Sequence, residues 1–185
     1  MANRSHLYAF DRFEAGMPEQ PRGLHEWNLV IPVSHLLLMS ARPRAYASSI
    51  FAAKVAVVGD REAGVARFLA FLRALEASAA LPEDFTVEAH AAAEFLARDE
   101  ARGNFLLLEP AEVFINGAKP AVDQCAQLVA RIPKLAAQVD ELLTRPPEKL
   151  FAKPPRWLAQ LRTDWRKADL GLGTWSSSLH HSLDA

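Results

Sequence analysis

The chain has 185 residues, 50% of them hydrophobic and 23% charged, with a formal net charge of −1. That length fits one domain over residues 1–185, large enough to bury its own core. A single cysteine excludes an internal disulfide and any Cys-x-x-Cys metal knuckle, and the near-neutral charge argues against nucleic-acid binding by the chain as a whole. The opening Met1–Tyr8 lacks the apolar run of a secretory signal. No apolar stretch approaches the ~20 residues of a membrane span, so a soluble, cytoplasmic protein is expected.

Residues 3–10 alternate polar and apolar around Leu7, Tyr8 and Phe10, which predicts a short strand. A loop follows through Gly16, Pro18, Pro21 and Gly23, and Trp27–Ile31 forms an apolar patch closed by Pro32. Val33–Ser40 fits a two-turn helix opened by that proline and ended by Arg42-Pro43. Tyr46–Val58 is ambiguous between helix and strand. From Asp60 to Ala79 the spacing of Val65, Phe68, Leu69, Leu72 and Leu75 is helical. Pro82 opens a further helix, with Glu83 and Asp84 in its first turn, a stripe of Phe85, Ala89, Ala92 and Leu96, and Gly103 as terminator. Phe105–Leu108 and Val113–Ile115 read as short strands, and Asn116-Gly117 as a turn.

Pro120 opens the longest helix, to about Thr144, whose buried face is predicted as Val122, Cys125, Val129, Ile132, Ala136, Val139 and Leu143. Pro133 inside it is expected to kink or split it. After the proline pairs 146–147 and 154–155 comes a helix over Arg156–Lys167 carrying Trp157, Leu161 and Trp165. A final strand is expected around Thr174–Leu183, pairing through residues 174–180 with residues 4–9. This order is not a regular βαβ alternation. It predicts an α+β fold that is helix-rich, with a small, mainly antiparallel sheet that includes the terminal strands and helices packed on one face.

The chemistry-bearing residues form no complete constellation. His180-His181 are neighbours that a strand would point to opposite faces. There is no His-Glu-x-x-His, and no carboxylate at ligand spacing, so no metal or cofactor is expected. His35 and His90 lie on helical segments and read as partly buried. Ser176-Ser177-Ser178 has no identifiable base or oxyanion hole, there is no Gly-x-Ser-x-Gly elbow, and Gly171-Leu172-Gly173 is a turn rather than a phosphate loop. Cys125, in an apolar stripe, reads as an inert buried thiol. No catalytic residue is assigned.

Charge is polarised along the chain. Residues 60–100 hold nine acidic and four basic residues, a net of −5, and residues 145–167 hold seven basic and two acidic, a net of +5. Such patches steer charged partners. Trp157 and Trp165 in the basic half would suit single-stranded nucleic acid, but their spacing fits a buried helix stripe better.

Asn3-Arg4-Ser5-His6-Leu7-Tyr8 after Met1-Ala2, followed by Gly23-Leu24-His25-Glu26-Trp27-Asn28 and Ile31-Pro32, resembles a family of uncharacterised bacterial proteins. Its members begin Met-Ala-Asn-Arg-Ser-x-Leu-Tyr and continue with a Glu-Trp motif and an Ile-Pro step. The similarity covers about the first fifty residues, with a weaker match at Leu172–Ser176, and it lends no catalytic residues. The expectation is a protein-binding module of the immunity type, which neutralises a partner such as a toxin through Glu83, Asp84, Glu88, Glu94, Asp99 and Glu100. The alternative is an enzyme whose site assembles from His25, Glu26, Asn28 and the His180 region. Neither a membrane nor a nucleic acid is an expected partner.

Overall fold

The computed structural model describes residues 3–14, 16–78, 80–115, 117–181 and 183. Its centre is a five-stranded antiparallel sheet made of β1 (Arg4–Phe10), β4 (Arg22–Asn28), β5 (Arg44–Tyr46), β6 (Ala56–Asp60) and β7 (Phe105–Glu109), in the order β4-β1-β7-β6-β5. The short strands β2 (Phe13–Glu14) and β3 (Met17–Pro18) form a separate hairpin. The helices are α1 (Val33–Leu38), α2 (Arg61–Glu76), α3 (Glu83–Ala97), α4 (Ala111–Ile115), α5 (Ala121–Leu143) and α6 (Arg156–Thr163). The fold is α+β, as the element order predicts.

Register explains the layering, because side chains along a strand alternate between faces. Leu7 is paired with Leu108, and Leu108 with Val57. These residues, with Ala9 and Leu106, point into the main core beneath the helices. Tyr8, Leu107 and Val58 occupy the next positions and point to the opposite face, where they cluster with Phe10 and Ala56. That second face is covered by half-buried side chains from the hairpin and the C-terminal segment, including Phe13, Leu179 and Leu183.

The helices follow their apolar stripes. Phe68, Leu72 and Leu75 of α2 are buried, as are Phe85, Ala89, Ala92 and Leu96 of α3. Helix α2 crosses α1 so closely that a Cβ on Gly64 would lie 1.8 Å from the Leu38 carbonyl oxygen. Only six residues long, α1 gains its first bonds from outside itself. The Val33 and Ser34 amides donate to the carbonyls of Asp169 and Leu170.

Several expectations need correction. Residues 174–180 form no strand and do not pair with residues 4–9, because β1 already has β4 on one side and β7 on the other. The segment instead lies over β4, where the Ser176 amide donates to the Leu24 carbonyl. Gly23 permits this approach, since a Cβ there would lie 2.6 Å from the Ser177 carbonyl oxygen. Val113–Ile115 belongs to α4 rather than to a strand, with the Val113 and Phe114 amides capturing the Pro110 carbonyl. Helix α5 runs unbroken through Pro133, and Val122 is half exposed at 51% while Leu128, Leu135 and Leu142 are buried. Helix α3 ends at Ala97, so Gly103 is not its terminator. The first two residues of the resembling motif, Asn116 of the expected turn, Ala79 at the expected helix end and Ser182 lie outside the described residues.

Candidate functional site

Two regions gather chemistry-bearing side chains. The first is the outer face of α3. Of the six acids expected there, Asp84 is engaged within the chain, accepting hydrogen bonds from Trp165 Nε1 at 3.1 Å and pairing with Arg166. The Trp165 contact first, and then Arg166, hold its carboxyl below the usual range against the upward effect of desolvation. Asp99 and Glu100 lie past the helix end, paired with Arg102 at 3.1 Å and Arg98 at 3.6 Å. Among the described residues Glu83, Glu88 and Glu94 make no hydrogen bond or ion pair through their side chains. They flank an exposed apolar stripe of Val87 and Ala91.

Two grooves of about 230 and 240 Å³ adjoin this stripe and share Glu88 and Leu172. Trp27, Trp165 and Arg166 wall the first, and Glu94, Phe95 and Trp175 wall the second. The surface therefore combines the unpaired carboxylates with aromatic faces, a little apolar area and one arginine in each groove, Arg166 and Arg98. In this mixture the free carboxylates are suited to the basic groups of a partly apolar protein segment.

The second region lies on the far face of the sheet, at the start of β1. Register sets Glu26 of β4, His6 of β1 and Glu109 of β7 side by side. Glu112 of α4 approaches the same place, where its Oε2 accepts the Arg4 amide at 2.9 Å. From the C-terminal segment His181 Nε2 meets Glu112 Oε1 at 2.7 Å. The Tyr8 hydroxyl donates to the His181 carbonyl at 2.7 Å, and the His180 amide donates to Glu26 Oε2 at 2.8 Å. Arg4 pairs with Glu26 at 3.2 Å and donates to Asn28. The opening motif and the Glu-Trp motif thus meet side by side on two strands and grip the C-terminal segment.

Electrostatics in this cluster follow from burial. His6 is fully buried and neither ring nitrogen has a hydrogen-bond partner, which typically costs about 1–3 kcal/mol per orphaned group. Burial lowers its pKa to about 4, against the pull of Glu112. Burial raises Glu109 to about 6, although Ser48 Oγ and the Ser49 amide donate to it. For Glu112 burial acts upward, but His181, the Arg4 amide and His6 together bring its pKa below the ordinary value.

The family described as a domain of unknown function, DUF7822, matches residues 12–148. The chain belongs to this family. No curated protein and no solved structure matches it. The DUF7822 match takes in the whole of α3 along with Glu26, Glu109 and Glu112, whereas His6 and His181 fall outside it.

Glu26 of this DUF7822 chain thus reaches the His180 segment, whereas Asn28 accepts from Arg4 and His25 does not join them. It projects to the opposite face of β4, where its Nδ1 lies 2.8 Å from His35 Nε2 and its Nε2 2.6 Å from the Gly173 carbonyl. His35 is wholly buried, and His90 is exposed beside Glu76 at 3.2 Å. Cys125 is buried, its thiol pushed up to about 11 by burial and by Glu109. No helix among the described residues is long and apolar enough to cross a membrane.

Sequence reasoning missed the meeting of His6, Glu112 and His181. Their separations of 69 residues or more leave no local spacing to read. The one available signal was His6 in a strand whose following residues, Leu7 to Phe10, are all apolar or aromatic.

Proposed function

We propose that this DUF7822 chain is a protein-binding module of the immunity type, engaging a basic surface of its partner through α3. The supporting observation is that Glu83, Glu88 and Glu94 lack internal cationic partners, and that Glu88 and Glu94 line two aromatic-walled grooves. Leaving carboxylates unneutralised along a groove raises the rate and selectivity of docking a cationic partner, and requires no catalytic group. Asp84 serves the fold through Arg166, and Asp99 and Glu100 form the rim.

Affinity purification of the tagged chain from its own host, followed by mass spectrometry, is expected to return one stoichiometric partner. Glu88→Lys combined with Glu94→Lys weakens that complex by about tenfold or more. Glu62→Lys, exposed on α2, leaves it intact. A chain recovered alone, or a partner kept equally well by the doubly reversed variant, overturns the reading.

A further inference from the structure

We propose that His6, Glu112 and His181 form a site for one divalent transition-metal ion of the zinc class, which locks the C-terminal segment across the sheet. Each residue offers a ligand atom, and the three atoms lie within 4.8 Å of one another. They come from β1, α4 and the C-terminal segment, so one ion would join three parts of the chain that are distant in sequence.

His6 supplies an independent observation. Its ring is 0% exposed and both its nitrogens lack a hydrogen-bond partner, although it stands beside carboxylates. Its nearest charged contact, Glu26 Oε2 at 3.8 Å from Nε2, is too long for a hydrogen bond but near enough for Glu26 to close in as a fourth ligand. A buried imidazole with a free lone pair beside a carboxylate and a second imidazole is the donor set that zinc takes. Magnesium and calcium prefer oxygen donors in larger number.

Tetrahedral coordination with bonds of about 2.0–2.1 Å places ligand atoms roughly 3.3 Å apart. The His181–Glu112 pair at 2.7 Å therefore opens slightly while His6 moves inward. Ligation needs a bare Nε2 on His181, so its hydrogen bond to Glu112 gives way to the ion. An outer shell is already in place. The Arg4 amide orients Glu112, the Tyr8 hydroxyl holds the His181 backbone, and the His180 amide holds Glu26.

The test uses the full chain, treated with a chelator and then titrated with zinc chloride by calorimetry, with magnesium chloride as control. The expected result is one zinc per chain, no saturable magnesium binding, and slower protease cleavage around residues 174–181 once zinc is added. His6→Gln and His181→Gln each abolish the saturable binding, whereas His180→Gln and His90→Gln retain it. Equal uptake by wild type and His6→Gln overturns the proposal, as does equal loss in His180→Gln. If a variant fails to fold, cobalt added to wild type reads the same site by NMR. Paramagnetic shifts on the His6 and His181 rings support it, and shifts confined to other histidines overturn it.

Discussion

At the level of single residues, the most unusual feature is a line of polar groups through the core. Gly173 offers only a carbonyl, so His25 Nε2 must carry the proton that bridges their 2.6 Å separation. A neutral His25 then accepts at Nδ1 from His35 Nε2, and a neutral His35 accepts at Nδ1 from the Ser5 hydroxyl, 3.2 Å away. Ser5 Oγ also lies 3.1 Å from the Val30 carbonyl, so its single proton is drawn both ways. Burial lowers the His25 pKa to about 4, against the Gly173 bond, and lowers His35 well below its ordinary value, with His25 and His6 adding to the effect. Both folded values lie under the unfolded value of 6.5, so the unfolded chain binds more protons in acid. The stabilising contribution is therefore complete above about pH 6.5 and is lost as pH falls toward 4. For His25 alone the loss is on the order of 3 kcal/mol. Glu109 opposes it in part, because its raised pKa favours the fold as it gains a proton between the ordinary 4.5 and about 6. Urea unfolding from pH 7 to 4 should show falling stability in wild type and a flatter slope in His25→Gln. Parallel slopes would mean that the histidine line is not the source.

At the level of elements, α5 carries a removable flaw. Pro133 lacks the amide that would bond to the Val129 carbonyl, yet the helix continues from Ala121 to Leu143 because Cys125, Leu128, Ile132, Leu135, Val139 and Leu142 are buried along it. Pro133 itself faces solvent. Pro133→Ala should stabilise the protein, by up to about 3 kcal/mol if the helix is otherwise unchanged. Thermal unfolding measures this, and an unchanged midpoint would show that the helix has already adjusted to the ring. The same competition between local preference and packing decides which elements the sequence reveals. The cores of α2 and α3 and most of β7 are legible because their apolar residues are the buried ones. Leu7, Tyr8 and Phe10 make β1 legible, although the polar Ser5 and His6 are buried beside them. Strand β4 is hidden. His25 is buried by hydrogen bonds rather than by apolar character, and Glu26 and Asn28 look like loop residues. Helix α4 is misread because its β-branched Val113 and Ile115 favour a strand, while the Pro110 carbonyl imposes a helical turn. The acidic character of α3 is readable from charge, but the loss of Asp84 to Arg166 is not, because 82 positions separate them.

For the whole molecule, the decisive asymmetry is between the two faces of the sheet. One face lies under helices, and the other depends on short pieces of chain. Among them the C-terminal segment places Leu179 and Leu183 against the cluster of Tyr8, Phe10, Ala56, Val58 and Leu107. A few hydrogen bonds accompany these contacts, to Leu24, Glu26 and Glu112 and from Tyr8. Ending the chain after Ser176 should remove that cover while leaving Trp175, which packs against His25, Phe68 and Phe95, and the Gly173 carbonyl that faces His25 in place. Burying a leucine side chain fully contributes about 1.5–3 kcal/mol. Both leucines here are half-buried, so a loss of roughly 2 kcal/mol in urea unfolding is expected. The bared patch should also bind a hydrophobic dye and draw two copies together, since exposed apolar sheet faces associate. Unchanged stability with no dye binding would show that the hairpin of β2 and β3 suffices to cover this face. Loss of all cooperative unfolding would show instead that the segment is needed for the sheet to form at all. Between these outcomes lies the expected one, a folded but stickier protein that keeps its α3 surface and its partner, because the unpaired Glu83 and Glu94 lie on α3 away from the sheet face that truncation exposes.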